Sequence, residues 1–373
     1  MNKSISVAAV CAVLASPALA ATKNMENPLY IPRAGDVYSK TGAGLMYKEA
    51  DSSLAMRAKN LDGETEFPIL RISQELGVGI TDRLSIRGRF GWTQDDDINR
   101  KGMHEGRIGL NYRVIDQTEM NSGIAWDVYA DAFLGGVSAM KADLISSPNS
   151  MGGAYPMSFN YGNYANGRWG AWLGTQVGKT WDAFTLAGFA EIERTFGNNN
   201  NEIKISSSAK TLVSQMVALQ TGMPALGALY ASGLPGDFNV DTKGTWEYNA
   251  GLRGFWDCGA NWSFGGAFTY KHHSDNTIEG VNIKIDPAVV STIDGLAGAG
   301  TTAAITNGVA SQFNGSLQDG WDEYILTAVA AYKLTDTVQL AVYGEYTMDD
   351  ANAKSQNGTD VKAEVGVRLN LQF

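Results

Sequence analysis

The sequence predicts an all-β fold, a transmembrane antiparallel up-and-down β-barrel of about twelve strands with long loops at one end. Three observations carry this: twelve segments alternate apolar and polar side chains with period two, the connections between them alternate in length, and the first residues have the build of an export signal.

The first element is that signal. The chain opens on Met1, Asn2 and Lys3, continues with an apolar run from Ile5 to Leu14, and reaches small residues at Ala18 and Ala20. A basic start, a short apolar middle and a small-x-small end read as a secretory signal over residues 1–20, cleaved after Ala20. The run is shorter than the roughly 20 apolar residues of a spanning helix. Val10 precedes Cys11 where lipoprotein processing prefers a small residue, so an acyl anchor is disfavoured. Residues 21–37 follow as a periplasmic N-terminal segment, and residues 38–373 as the barrel.

The strands come next. Alternation is found over residues 38–47, 67–80, 83–92, 103–114, 122–135, 166–177, 183–196, 244–256, 261–274, 321–333, 337–347 and 361–373. Lengths of 10 to 14 residues suit the roughly 9 to 11 that a tilted strand needs to cross a bilayer. Connections after the odd-numbered strands have 19, 10, 30, 47, 46 and 13 residues, whereas those after the even-numbered ones have 2, 7, 5, 4 and 3. The short ones carry turn chemistry, as in Thr81 to Arg83, Asp257 to Asn261 and Thr335 to Thr337. A soluble sandwich has no reason for such asymmetry, and in hydrocarbon the sheet must close because an open edge finds no partner. Trp92, Tyr112, Trp181, Trp262, Tyr332 and Tyr346 sit near strand ends, where interfacial aromatics belong.

Bulk properties exclude other classes. Removing the signal takes away one lysine and no acid, moving the formal net charge from -10 to -11, which argues against nucleic acid as a partner. Cys11 leaves with the signal, so Cys258 is the one remaining thiol, with neither an internal disulfide nor a cysteine-type zinc site available. Glycine at 43 and proline at 9 suit twisted strands better than a helical bundle. Two long connections, residues 206–231 and 286–312, are apolar and alanine-rich, a pattern for short helices. They either pack on each other over the mouth, fold inward as a plug, or stay as external loop.

The final strand, Val361 to Phe373, alternates strictly and ends on Phe. It resembles the closing strand of Gram-negative outer-membrane β-barrel proteins, and the even strand number, loop asymmetry and signal extend that resemblance along the chain. The resemblance implies location in the bacterial outer membrane and contact with outer-membrane lipid and lipopolysaccharide. It further implies Phe373 as a signal read by the barrel assembly machinery, and homo-oligomers as one allowed state.

Parity assigns the faces. Arg83, Arg87 and Arg89 on the third segment point inward, joined by Arg71, Arg107 and Arg113 on its neighbours, while Asp127, Asp131, Glu191 and Glu193 form an adjoining acidic arc. Opposed charges across a lumen orient polar solutes and select ions, an arrangement similar to that of general porins. The leading function is therefore a porin-like channel for small polar or ionic solutes, with Arg71, Arg87, Arg89 and Arg107 facing Asp127, Asp131, Glu191 and Glu193 as a charge filter. Cross-lumen pairing, such as Arg87 with Asp127, gives the opposite reading, a structural or adhesive barrel with a blocked lumen.

One constellation suggests chemistry. His272 and Ser274 share the lipid side of the ninth segment, a base beside a hydroxyl at headgroup level, as acyl-ester hydrolysis needs. Here the sequence resembles outer-membrane phospholipase A and the lipid A deacylases in their H-x-S-N motif, over His272, His273 and Ser274, with Asp275 in place of the Asn. That resemblance implies a hydrolase of phospholipid or lipid A, with Asp322 as the substitute third partner. The sequence leans away from an enzyme, and a lipid acyl-ester hydrolase is the alternative. Asp95 to Asn99 has calcium-loop spacing, yet Arg100 stands where Gly is needed, and no metal or other cofactor is implied. The glycines near Gly295 to Gly300 lack a strand-to-helix context for phosphate. His104 reads as interfacial.

Overall fold

The computed structural model describes residues 24–50, 68–95, 100–118, 123–135, 144–145, 157–159, 169–196, 198–205, 207–259, 261–311, 315–318, 320–350 and 359–373. In chain order the strands are β1 (Val37–Ala50), β2 (Ile69–Gly79), β3 (Leu84–Asp95), β4 (Arg100–Ile115), β5 (Ala125–Gly135), β6 (Leu144–Ile145), β7 (Met157–Phe159), β8 (Trp169–Trp181) and β9 (Phe184–Thr195). They continue with β10 (Asn198–Ile205), β11 (Asp237–Thr242), β12 (Trp246–Asp257), β13 (Trp262–His273), β14 (Asn276–Asn282), β15 (Gly315–Gln318), β16 (Trp321–Lys333), β17 (Val338–Asp349) and β18 (Thr359–Gln372). Helices α1 (Ser207–Thr221) and α2 (Pro224–Ser232) lie between β10 and β11, and α3 (Pro287–Ala297) and α4 (Thr301–Ser311) between β14 and β15.

Twelve of these strands close one antiparallel barrel in the order β1-β18-β17-β16-β13-β12-β9-β8-β5-β4-β3-β2. Each of the twelve alternating segments becomes a barrel strand, its ends shifted by a few residues. Closure is made by the chain ends: β1 pairs with β18 from Tyr38 opposite Gln372 to Ala50 opposite Thr359. Beyond that ladder the Phe373 main chain exchanges two hydrogen bonds with Val37, at 2.8 and 3.1 Å. The last residue thus completes the seam while its ring stays exposed.

Outward positions carry the apolar half of the alternation. Leu76, Phe90, Ile108, Leu186, Leu252, Phe268, Leu326, Val342 and Val367 are exposed around the barrel wall, the inverse of a soluble core and the signature of a strand face solvated by lipid. Tyr112, Trp126, Trp256 and Trp262 ring the short-turn edge, and Tyr47, Trp169, Trp246, Tyr324 and Tyr346 the opposite edge. These two belts mark the interfaces. Among the described residues no single helix is long and apolar enough to cross a membrane; the strands do the crossing.

On the inward face, aromatic rings lie flat over cross-strand glycines. A Cβ on Gly174 would fall within the Tyr129 ring, and one on Gly366 within the Tyr343 ring. Only glycine permits that approach.

The six remaining strands form a second sheet, ordered β15-β14-β11-β10-β7-β6, built from the connections on the long-loop side. The helices predicted over 206–231 and 286–312 are present, and they pack on each other: Val217, Leu226, Tyr230, Ile293, Ile305 and Val309 share one core with Leu234 and Ile283. Tyr230 donates to Thr306 Oγ1 at 2.9 Å, tying α2 to α4. That core contains no barrel residue.

Candidate functional site

The lumen is the candidate site, and the strand pleat places its lining. The eight residues of the expected charge filter all make contacts inside the barrel, and they do so as ion pairs. Arg71 donates to Glu364 at 2.8 Å, Arg87 reaches Asp131 at 3.1 Å and Arg107 reaches Glu193 at 3.0 Å. Arg89 donates to Glu75 at 2.8 Å, and Glu191 is held by Arg253 at 3.1 Å. Asp127 is fully buried against Arg113 at 2.7 Å rather than against Arg87. Strand register explains that partner choice: Asp127 stands opposite Arg113 on β4, whereas Asp131, two pleat repeats further along β5, stands level with Arg87, both opposite Gly109. The arginines lie on β2, β3 and β4 and the four acids on β5 and β9, and each charge is paired with a neighbour along the wall.

The same parity rule, carried to the later strands, would have found what the sequence reading left out. Inward on β12, β13, β16 and β18 are Arg253, Lys271, His273, Glu323, Glu364 and Arg368. At the long-loop end His273 is buried, its Nδ1 2.9 Å from Glu247 and its Nε2 3.3 Å from Glu323, with the ring stacked on Trp321 at 4.2 Å. Rings also sandwich guanidinium groups deeper in: Arg87 lies over Tyr129 and Trp172, and Arg107 over Trp172 and Phe133.

No periodicity announced the most consequential element. The segment placed in the periplasm as residues 21–37 is, over its described residues 24–36, turned into the short-turn end of the barrel. Met25, Asn27 and Leu29 are buried there, Leu29 against Ala125 and Ala187. Asn24 donates to Ser263, Asn27 to Thr185, and the carbonyls of Met25, Pro28 and Leu29 accept from Lys40, Gln176 and Arg113. Glu26 accepts from Arg368 at 2.9 and 3.1 Å and from Asn370 at 2.7 Å. Two apolar side chains and a set of short amides leave the segment better satisfied by the lumen wall than by water. Among the described residues, it is this segment that enters the short-turn end of the barrel.

On the outer face, His272 and Asp322 stand opposite each other in register and hydrogen-bond at 2.7 Å, with Tyr270 donating to the same carboxylate at 2.9 Å. Ser274 is not brought into that pair by any hydrogen bond: its Oγ accepts from the Trp246 N–H at 2.8 Å, capping the end of β12. Asp275 likewise caps a backbone, accepting from Gly320 N–H at 2.6 Å. Most of the Asp95 to Asn99 stretch and the His104 side chain lie outside the described residues. Cys258 is an exposed free thiol in the turn between β12 and β13.

No protein-family model and no curated protein sequence matches the chain. Solved structures do. An outer-membrane channel from Pseudomonas putida F1 superposes with a TM-score of 0.53 at 10% identity, covering 95% of this chain and 100% of that one. The likeness is one of fold. The transport unit of the autotransporter AIDA-I from Escherichia coli (TM-score 0.43, 10% identity, 99% and 98% covered) and the toluene transporter TodX of Pseudomonas putida (TM-score 0.44, 9% identity, 96% and 95% covered) are more distant and carry no argument here. The chain therefore has the closed twelve-strand architecture of an outer-membrane barrel.

Proposed function

We propose that this protein is an outer-membrane channel that passes small polar or ionic solutes through a charged lumen, with residues 24–32 as a stopper at its periplasmic mouth. The observation that carries the reading is a solvated stretch of the interior with the N-terminal segment docked beneath it. Between the two ends the inward side chain of Arg89 is exposed and those of Arg71 and Arg253 are half-buried, so water reaches the interior, although His273, Glu323 and Thr347 are buried at the long-loop end. At the short-turn end Arg113, Asp127, Thr185, Ser263 and Asn370 are all buried under the N-terminal segment. A barrel filled for rigidity alone would be dry throughout. A wet vestibule above a docked segment is what a closed channel requires, and the fold shared with a channel of Pseudomonas putida supports it.

The test is conductance in planar bilayers of the intact chain and of a chain lacking residues 24–32. Brief or rare openings in the first and sustained steps in the second are expected. Silence of both would refute conduction, and identical conductance in both would remove the stopper.

A further inference from the structure

The lumen pairs are electrically balanced, yet their two members do not meet water equally. Arg89 keeps 41% of its side chain accessible against 14% for Glu75, Arg71 keeps 35% against 10% for Glu364, and Arg253 keeps 33% against 7% for Glu191. The cation is the more accessible member in five further Arg and Lys pairs of the lumen as well, whereas His273 is less accessible than Glu247 and Glu323.

A repeated local arrangement produces this. Glu75 accepts from the Tyr38 hydroxyl at 2.9 Å, Glu191 from Tyr129 at 2.7 Å and Glu364 from Tyr343 at 2.8 Å. Each of these tyrosines lies against the wall over a cross-strand glycine, Gly77, Gly174 and Gly366. The sequence of causes is short. A missing Cβ lets the ring lie flat, the flat ring holds its hydroxyl near the wall, the hydroxyl tethers the carboxylate, and the arginine paired with that carboxylate projects into the water. Three copies occur, on β1, β2 and β3, on β5, β8, β9 and β12, and on β17, β18 and β2.

We propose that these three glycine-tyrosine-glutamate-arginine units make the water-facing surface of the lumen electropositive, and that the channel selects small anions, inorganic ions and organic carboxylates alike. This deepens the channel reading and rests on it. The tethered carboxylates neutralise the arginines at long range, which keeps an anion from being trapped, while at contact distance a solute meets guanidinium first. Glu345, half-buried and opposite Glu364 in register, works against the preference.

The experiment is the reversal potential of the full chain carrying Glu26→Gln in a planar bilayer under a KCl gradient. Chloride is expected to be more permeant than potassium, and Arg89→Gln with Arg253→Gln to lower that ratio by about fivefold, the factor for removing an interaction on the order of 1 kcal/mol at contact in water. Tyr38→Phe with Tyr129→Phe and Tyr343→Phe, which removes no charge, is expected to lower it in the same direction by freeing the carboxylates, and Glu345→Gln to raise it. A ratio favouring potassium, or one indifferent to the arginine and tyrosine variants, would overturn the inference and leave conduction standing. A bilayer silent even without residues 24–32 would overturn the channel reading and this inference with it.

Discussion

Glu26 is the point at which the stopper is most exposed to test. Its carboxylate takes two hydrogen bonds from Arg368 and one from Asn370, and it does so from a segment that makes no strand pairing with the wall among the described residues. Glu26→Gln keeps the size and an acceptor oxygen but removes the charge. Hydrogen bonds to a charged group contribute about 1.5–3 kcal/mol and neutral ones about 0.5–1.5, so the substitution weakens docking by about 2 kcal/mol, or roughly 30-fold in the docking equilibrium. The opposing cost is large, because ordering each backbone residue takes about 1–2 kcal/mol; a loss of this size is therefore felt. Single-channel recording is expected to show open probability rising by that factor until it saturates, with unitary conductance unchanged. Arg368→Gln is expected to do the same, and the double variant to add little, because both remove one interaction. Unchanged open probability in Glu26→Gln, or fully additive effects in the double variant, would refute the assignment of this pair as the latch.

Gly174→Ala places a methyl inside the space of the Tyr129 ring; overpacking of this kind costs about 1–3 kcal/mol, and the urea midpoint of the folded barrel is expected to fall while Gly254→Ala, whose Cβ meets nothing nearby, leaves it in place. Ser274→Ala is expected to shift neither the stability of the barrel by more than about 1 kcal/mol nor the release of fatty acid from phospholipid vesicles, since its hydroxyl is engaged by Trp246; a hydrolytic activity lost in this variant would overturn that view. In the long-loop region, Asp294 accepts from the Thr302 N–H and hydroxyl, each at 2.8 Å, and from Gly300 N–H at 3.2 Å. These bonds hold its carboxyl below the ordinary value of 3.8. A depressed pKa stabilises the folded form at higher pH, so protection of the α3–α4 turn from hydrogen exchange is expected to persist above pH 3.8 and to fall as the pH drops below it. Protection that rises on acidification would contradict it.

The barrel was legible from one local periodicity. Period-two alternation is a local property, because the pleat sends successive side chains to opposite faces whatever their partners, and an apolar face this long has only lipid to meet. Strand number, direction and the identity of the inward charges at Arg71, Arg87, Arg89, Arg107, Asp127, Asp131, Glu191 and Glu193 follow from that one periodicity and the loop lengths. The helices of the apolar loops were legible from composition, but not their burial against one another. The partners of those charges come from the packing of strand on strand. Asp127 faces Arg113 because register between β4 and β5 sets it there, and register is a relation between strands that one strand does not encode. The Tyr129 hydroxyl finds Glu191 across β8, 62 residues along the chain. The stopper was hidden for the same reason. Residues 24–36 have no period of their own, and what holds Met25, Glu26 and Leu29 is a concave wall assembled from strands at both ends of the chain, which exists only once the barrel has closed.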